Sequence, residues 1–158
     1  MSIDPSGFML DSNVFSRVVD GVLLLPEKAG RRFLVTGVQA DECRRAPCPA
    51  RRAALLHSIE EIAPEFCAAA SFCFDIEGAG WDQAPWNDGT GRFEAMLARL
   101  KVLDKKQKTK AQHLNQIRDI VIAETALKLN ATLVTDDGKL GQVVEEFGGT
   151  AAPSSSLA

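Results

Sequence analysis

Apolar residues recur along this chain in two arrangements, and the alternation between them predicts the fold. Short unbroken runs at Phe8 to Leu10, Phe33 to Thr36, Phe72 to Phe74 and Thr132 to Thr135 read as strands buried on both faces, as in a parallel sheet. Longer stretches carry apolar residues three and four apart and read as helices. These are Val14 to Leu25, ended by Pro26; Gly37 to Arg45, stopped near Pro47 and Pro49; and Ala50 to Ile62, with Ala54, Leu55, Ile59 and Ile62 on one face. A further helix runs from Asn115 to Leu129, and another follows Asp137. Strands alternating with helices predict an α/β domain built on a parallel sheet.

Residues 75 to 91 break the rhythm, being rich in Gly, Pro, Asn and Asp, and are expected to form an irregular loop. Its Trp81 and Trp86 suit either stacking on unpaired bases or packing against the domain. One domain is expected over residues 1–150, with 75–114 as a loop and helix insertion. The small polar residues of 151–158 predict a flexible tail.

Four carboxylates are placed where this fold concentrates chemistry. Asp11 follows the first strand, Glu42 lies on the helix after the second, Asp119 falls in the first turn of its helix, and Asp137 follows the Thr132 strand. Groups at the carboxyl ends of parallel strands collect in one crevice. Two such charges about 4 Å apart repel by about 1 kcal/mol in water and about 4 kcal/mol near a protein surface, so a cluster calls for a cation. Mg²⁺ suits it, binding oxygen through one or two carboxylates while keeping several waters. The bland reading is helix capping for the strand-end aspartates, and attraction to the helix dipole for Asp119.

The stretch Phe8-Met9-Leu10-Asp11-Ser12-Asn13-Val14-Phe15 resembles the opening of PIN-domain nucleases. Arg118 to Leu140 is similar to that family's acidic helix start and its Leu-Val-Thr-x-Asp strand end, and Val38 to Glu42 to the segment bearing its Glu. The blocks agree in order and spacing over about residues 7 to 147. The resemblance implies a three-layer α/β/α domain around a parallel sheet of four to five strands. It also implies a Mg²⁺- or Mn²⁺-dependent endoribonuclease like the VapC toxins. Asp11, Glu42, Asp119 and Asp137 would then be catalytic and metal-binding, with Asn13 and Thr135 as polar supports. Asp137 is preferred to Asp136 by the Thr-x-Asp pattern, although Asp136 could be the ligand or an assisting acid. A homodimer and a small antitoxin partner are implied as well. The insertion makes the chain longer than the smallest such toxins, so a stand-alone RNA-processing nuclease stays open.

Net charge, −3 with a pI near 5.4, does not advertise RNA binding. Local basic groups could supply it. Lys101 to Lys110 contains five lysines, among them Lys105 and Lys106, while Arg44, Arg45, Arg51 and Arg52 follow Glu42. Arg118 could meet a phosphate or Glu42. Each group is equally readable as solvated surface. Neither His57 nor His113 neighbours a nucleophile or a metal-ligand residue. Cys43, Cys48, Cys67 and Cys73 lack zinc spacing and are expected to be reduced thiols. With no leader-like start and no apolar run long enough to span a bilayer, a cytoplasmic protein is expected.

Two other readings remain. One is a PIN-like module that binds RNA or a protein without cutting. The other is a haloacid-dehalogenase-type phosphatase, which pairs a strand-end Asp with a late Asp-Asp but needs an acid where Asn13 stands.

Overall fold

The computed structural model describes residues 7–71, 89–105 and 108–158. Five parallel strands form one sheet in the order β3-β2-β1-β4-β5: β1 Phe8–Leu10, β2 Phe33–Val35, β3 Glu65–Phe66, β4 Thr132–Val134 and β5 Thr150–Ala152. Six helices among the described residues flank it: α1 Ser12–Val19, α2 Gly37–Arg44, α3 Pro49–Ile62, α4 Arg92–Leu103, α5 Lys110–Lys128 and α6 Gly138–Glu146. The result is the expected three-layer α/β/α arrangement.

Side-chain alternation along each strand divides the core between the layers. Met9, Leu34 and Leu133 face one way and pack with Met96, Ile120, Ile122 and Leu140 from α4, α5 and α6. Leu10, Phe33, Val35 and Val134 face the other way, against Val14, Phe15, Leu55 and Ile59 of α1 and α3. The three central strands are thus apolar on both faces. Gly7 admits the chain to β1: at φ +140° its missing Cβ would lie 2.9 Å from the Arg32 carbonyl.

Topology positions the functional edge. The chain begins in the middle of the sheet, steps outward through β2 to β3, and returns to build β4 and β5 on the opposite side of β1. Direction therefore reverses between β1 and β4, where connections leave to opposite sides and a crevice opens beyond the strand ends. Asp11 extends that junction, its N–H donating to the Val134 carbonyl at 3.0 Å.

Several expectations are corrected. Helix α1 stops at Val19 rather than Leu25, because the chain turns at Gly21 with φ +72°. Helix α5 starts at Lys110, five residues before Asn115, under a reciprocal cap between Thr109 and Gln112. Asp119 consequently lies in the third turn, past the reach of the helix dipole. The third strand is Glu65–Phe66, a two-residue exposed edge strand, whereas Phe72 to Phe74 lies outside the described residues. So do most of the 75–91 loop, both tryptophans, Lys106 and Cys73.

The segment expected to be a flexible tail is built into the fold. Strand β5 pairs with β4, and Ser154–Leu157 forms a short 3-10 helix with Leu157 buried. Arg31 donates to the Leu157 carbonyl at 3.1 Å, and Asp136 holds Ser154. Composition misleads there because these anchors are distant in sequence.

Candidate functional site

Four separate segments deliver carboxylates to the crevice beyond β1 and β4. Asp11 is the cap of α1, and its carboxylate is almost completely buried. Oδ1 accepts the Ser12 N–H at 2.8 Å, while Oδ2 accepts the Thr135 hydroxyl at 2.7 Å and the Asn13 amide at 3.3 Å. Thr135 Oγ1 in turn accepts the Asp137 N–H at 3.1 Å. One hydroxyl thereby ties the strand-end acid of β1 to the backbone of the strand-end acid of β4. Asp137 also caps α6, accepting from Lys139 N at 3.0 Å and Leu140 N at 3.3 Å.

Glu42, on α2, and Asp119, on α5, complete the group. Both line a cleft of about 410 Å³ with Ser12, Arg45, Asn115 and Arg118. The carboxylate of Asp119 forms no hydrogen bond among the described residues.

Electrostatics link all four acids. Burial pushes the Glu42 carboxyl up to about 7; the nearby charges of Asp11 and Asp41 add to this, while the Ser12 hydroxyl and Arg118 oppose it. Asp119 is held well above the ordinary carboxylate range by burial and then by Asp11, Glu42 and Asp137, against the pull of Arg118. Asp11 is raised by burial and by Asp137, against hydrogen bonds from Thr135 and Ser12. Arg118 is a cation acting on both Glu42 and Asp119.

Asp136 and Asp137 make different contacts. Asp136 turns from the acids toward the C-terminal helix: its Oδ1 accepts Ser154 N at 2.9 Å, and its Oδ2 accepts Ser154 Oγ at 2.7 Å and pairs with Arg17 Nε at 2.5 Å. These partners outweigh its burial and lower its pKa.

No family model and no curated protein matches this chain. The site must therefore be judged on its own geometry. Three raised carboxyls beside Arg118, with Arg45 paired to Asp41, are a charge imbalance that a hard divalent cation would relieve. As the side chains stand, no three His, Cys, Asp or Glu among the described residues form a group that could hold a metal ion. The donor chemistry fits a cation of the Mg²⁺ kind all the same, since such an ion keeps much of its water and needs only one or two carboxylates.

Expected basic residues distribute unevenly. Arg45 lines the cleft and pairs with Asp41 at 2.7 Å, and Arg118 lies beside Asp119. Arg44 and Lys105 are exposed and are not among the residues lining the cleft. Lys108 and Lys139 both pair with Asp104, at 2.6 and 3.3 Å, so the lysine run is partly neutralised. Arg51 pairs with Asp20. His57 sits against Glu60 and Glu61, and His113 is exposed. Cys43, Cys48 and Cys67 are free thiols. No helix among the described residues is long and apolar enough to cross a membrane.

Two cleft residues escaped the sequence reading. Asn115 accepts from Arg118 Nη1 at 3.0 Å, a relation its i, i+3 spacing on one helix could have revealed. Ser12, whose hydroxyl opposes the rise of the Glu42 pKa, left no such signal, because α1 and α2 meet only in the fold.

Proposed function

We propose that this protein is a divalent-cation-dependent endoribonuclease of the PIN type, hydrolysing phosphodiester bonds of RNA. The observation that carries the reading is the convergence of Asp11, Glu42, Asp119 and Asp137, from four segments, at the β1/β4 reversal with their charges coupled. The VapC-like resemblance extends it to a cytoplasmic toxin, acting as a homodimer and restrained by a small antitoxin.

One or two of Asp11, Asp119, Asp137 and Glu42 would hold the Mg²⁺ or Mn²⁺ directly, and the others through its water. Once bound, that ion would supply a more acidic water and charge neutralisation at the phosphate. Thr135 and Asn13 fix the Asp11 carboxylate, so its lone pairs point in a set direction without reorganisation. Glu42, poised near neutrality, can take the proton from the attacking water at a carboxylate oxygen. Water adds to phosphorus, the P–O bond to the leaving ribose oxygen breaks, and that oxygen takes a proton from solvent water while Glu42 returns its own to solvent.

Asn13 also bears on the phosphatase alternative. Its amide donates to Asp11 Oδ2, and an amide cannot relay the proton that mechanism requires two residues after its nucleophile. The non-cutting module draws support from the engagement of Asp11 and Asp137, both already satisfied by N–H or O–H donors.

The deciding experiment is cleavage of labelled single-stranded RNA in Mg²⁺, Mn²⁺ or EDTA, beside the Asp11→Asn protein. Cation-dependent cutting that the variant lacks supports the nuclease. RNA left intact by folded protein, free of bound inhibitor, supports the binding module.

A further inference from the structure

Arg118 is the charge that the fold leaves least explained. It is only 8% exposed, on α5 beside Asp119. Buried arginines are ordinarily paired with acids. This one forms no ion pair among the described residues, although Glu42 and Asp119 line the same cleft. One hydrogen bond is made, from Nη1 to Asn115 Oδ1 at 3.0 Å, and Nε is buried without a partner.

Asn115 sharpens the chemistry. With its Oδ1 occupied by Arg118, the amide group of Asn115 is left to donate, and the guanidinium has donors only. The cleft thus sets a pair of donors from α5 beside the carboxylates of Glu42 and Asp119. A ligand completing the donor pair must be an anion offering several acceptor oxygens. A carboxylate would repeat what Glu42 and Asp119 already present without pairing. A phosphate spreads its oxygens tetrahedrally and can meet Arg118 and Asn115 together. The cleft, about 410 Å³, admits a phosphate with its flanking sugars.

We infer that Arg118, oriented by Asn115, is the phosphate clamp of this cleft, gripping a phosphodiester and fixing its distance from Glu42 and Asp119. The clamp also answers a need of the cleft, since a phosphate approaching the carboxylates of Glu42 and Asp119 is otherwise repelled. Identifying the anion as an RNA phosphodiester rests on the nuclease reading, whereas the anion site itself does not.

The test separates the two. The Nε–H resonance of Arg118, identified by its loss in Arg118→Lys, is followed by ¹⁵N NMR in the wild-type chain in EDTA. Inorganic phosphate is titrated in, with acetate at equal ionic strength as the control. A saturable shift with phosphate and none with acetate is expected. RNA cleavage by Arg118→Lys should show KM raised about tenfold to a hundredfold, with a smaller change in kcat. No phosphate response overturns the clamp, and an equal response to acetate overturns it in favour of an acidic partner segment. Wild-type and Arg118→Lys proteins cutting with equal KM also overturn it and leave the nuclease reading standing. Phosphate binding at Arg118 in a wild-type protein that cuts no RNA keeps the clamp and ends the nuclease reading.

Discussion

Thr135 Oγ1 donates to Asp11 Oδ2 at 2.7 Å, across 124 positions of sequence, and accepts the Asp137 N–H at 3.1 Å. A single buried hydroxyl therefore sets the relation between the acids that end β1 and β4. Thr135→Val keeps the shape and removes both bonds. It is expected to cost about 1–3 kcal/mol in urea unfolding, because a buried carboxylate loses a partner. Cleavage should fall about tenfold to a hundredfold, as for other residues that orient metal-binding acids. Unchanged stability and activity would remove Thr135 from the site.

Asp119 differs from Asp11 in having no hydrogen bond to lose among the described residues. Asp119→Asn is expected to abolish cleavage while leaving stability unchanged or higher by on the order of 1 kcal/mol, through relief of repulsion among buried charges. Chemical denaturation beside an RNA assay checks both halves. A strongly destabilised variant would mean that Asp119 holds the fold together rather than the substrate.

Stability should fall with rising pH when no divalent cation is present. The folded Glu42 carboxyl titrates at about 7, against 4.5 as the ordinary value, so the folded state binds more protons than the unfolded state between them. The favourable contribution is complete below about 4.5 and is lost as pH climbs through about 7, a change on the order of 3 kcal/mol. Asp11 and Asp119, also raised, slope the same way. Denaturation from pH 4.5 to 8 in EDTA should show the decline. Glu42→Gln should flatten it, and saturating Mg²⁺ should offset it by binding the ionised form. A rise in stability across that range would contradict the charge coupling.

Asp136 and Asp137 are adjacent in sequence and opposite in consequence. Asp136→Ala frees Ser154 and Arg17, so the C-terminal helix should become sensitive to carboxypeptidase while cleavage of RNA persists. Asp137→Asn keeps the cap of α6 and should stop cleavage with the C-terminus still protected. The reverse pattern would exchange their roles.

The sequence by itself determined the layered α/β architecture, since apolar runs and helical spacing at β1, β2, β4, α2 and α3 are local signals that burial enforces. It also located Asp11 and Asp137, because strand-end placement follows from the same pattern. What it could not supply were relations between distant segments. Asp119 reads as a helix-start residue until Thr109 is seen to cap α5 one residue before Lys110, and the 153–158 segment reads as loose until Asp136, Arg31 and the apolar layer around Leu157 anchor it. Which of Asp136 and Asp137 faces the acids, and whether Arg118 is paired, depended on side-chain direction across the β1/β4 reversal. Hydrogen bonds, desolvation and charge coupling act through space, and only the folded chain sets those distances.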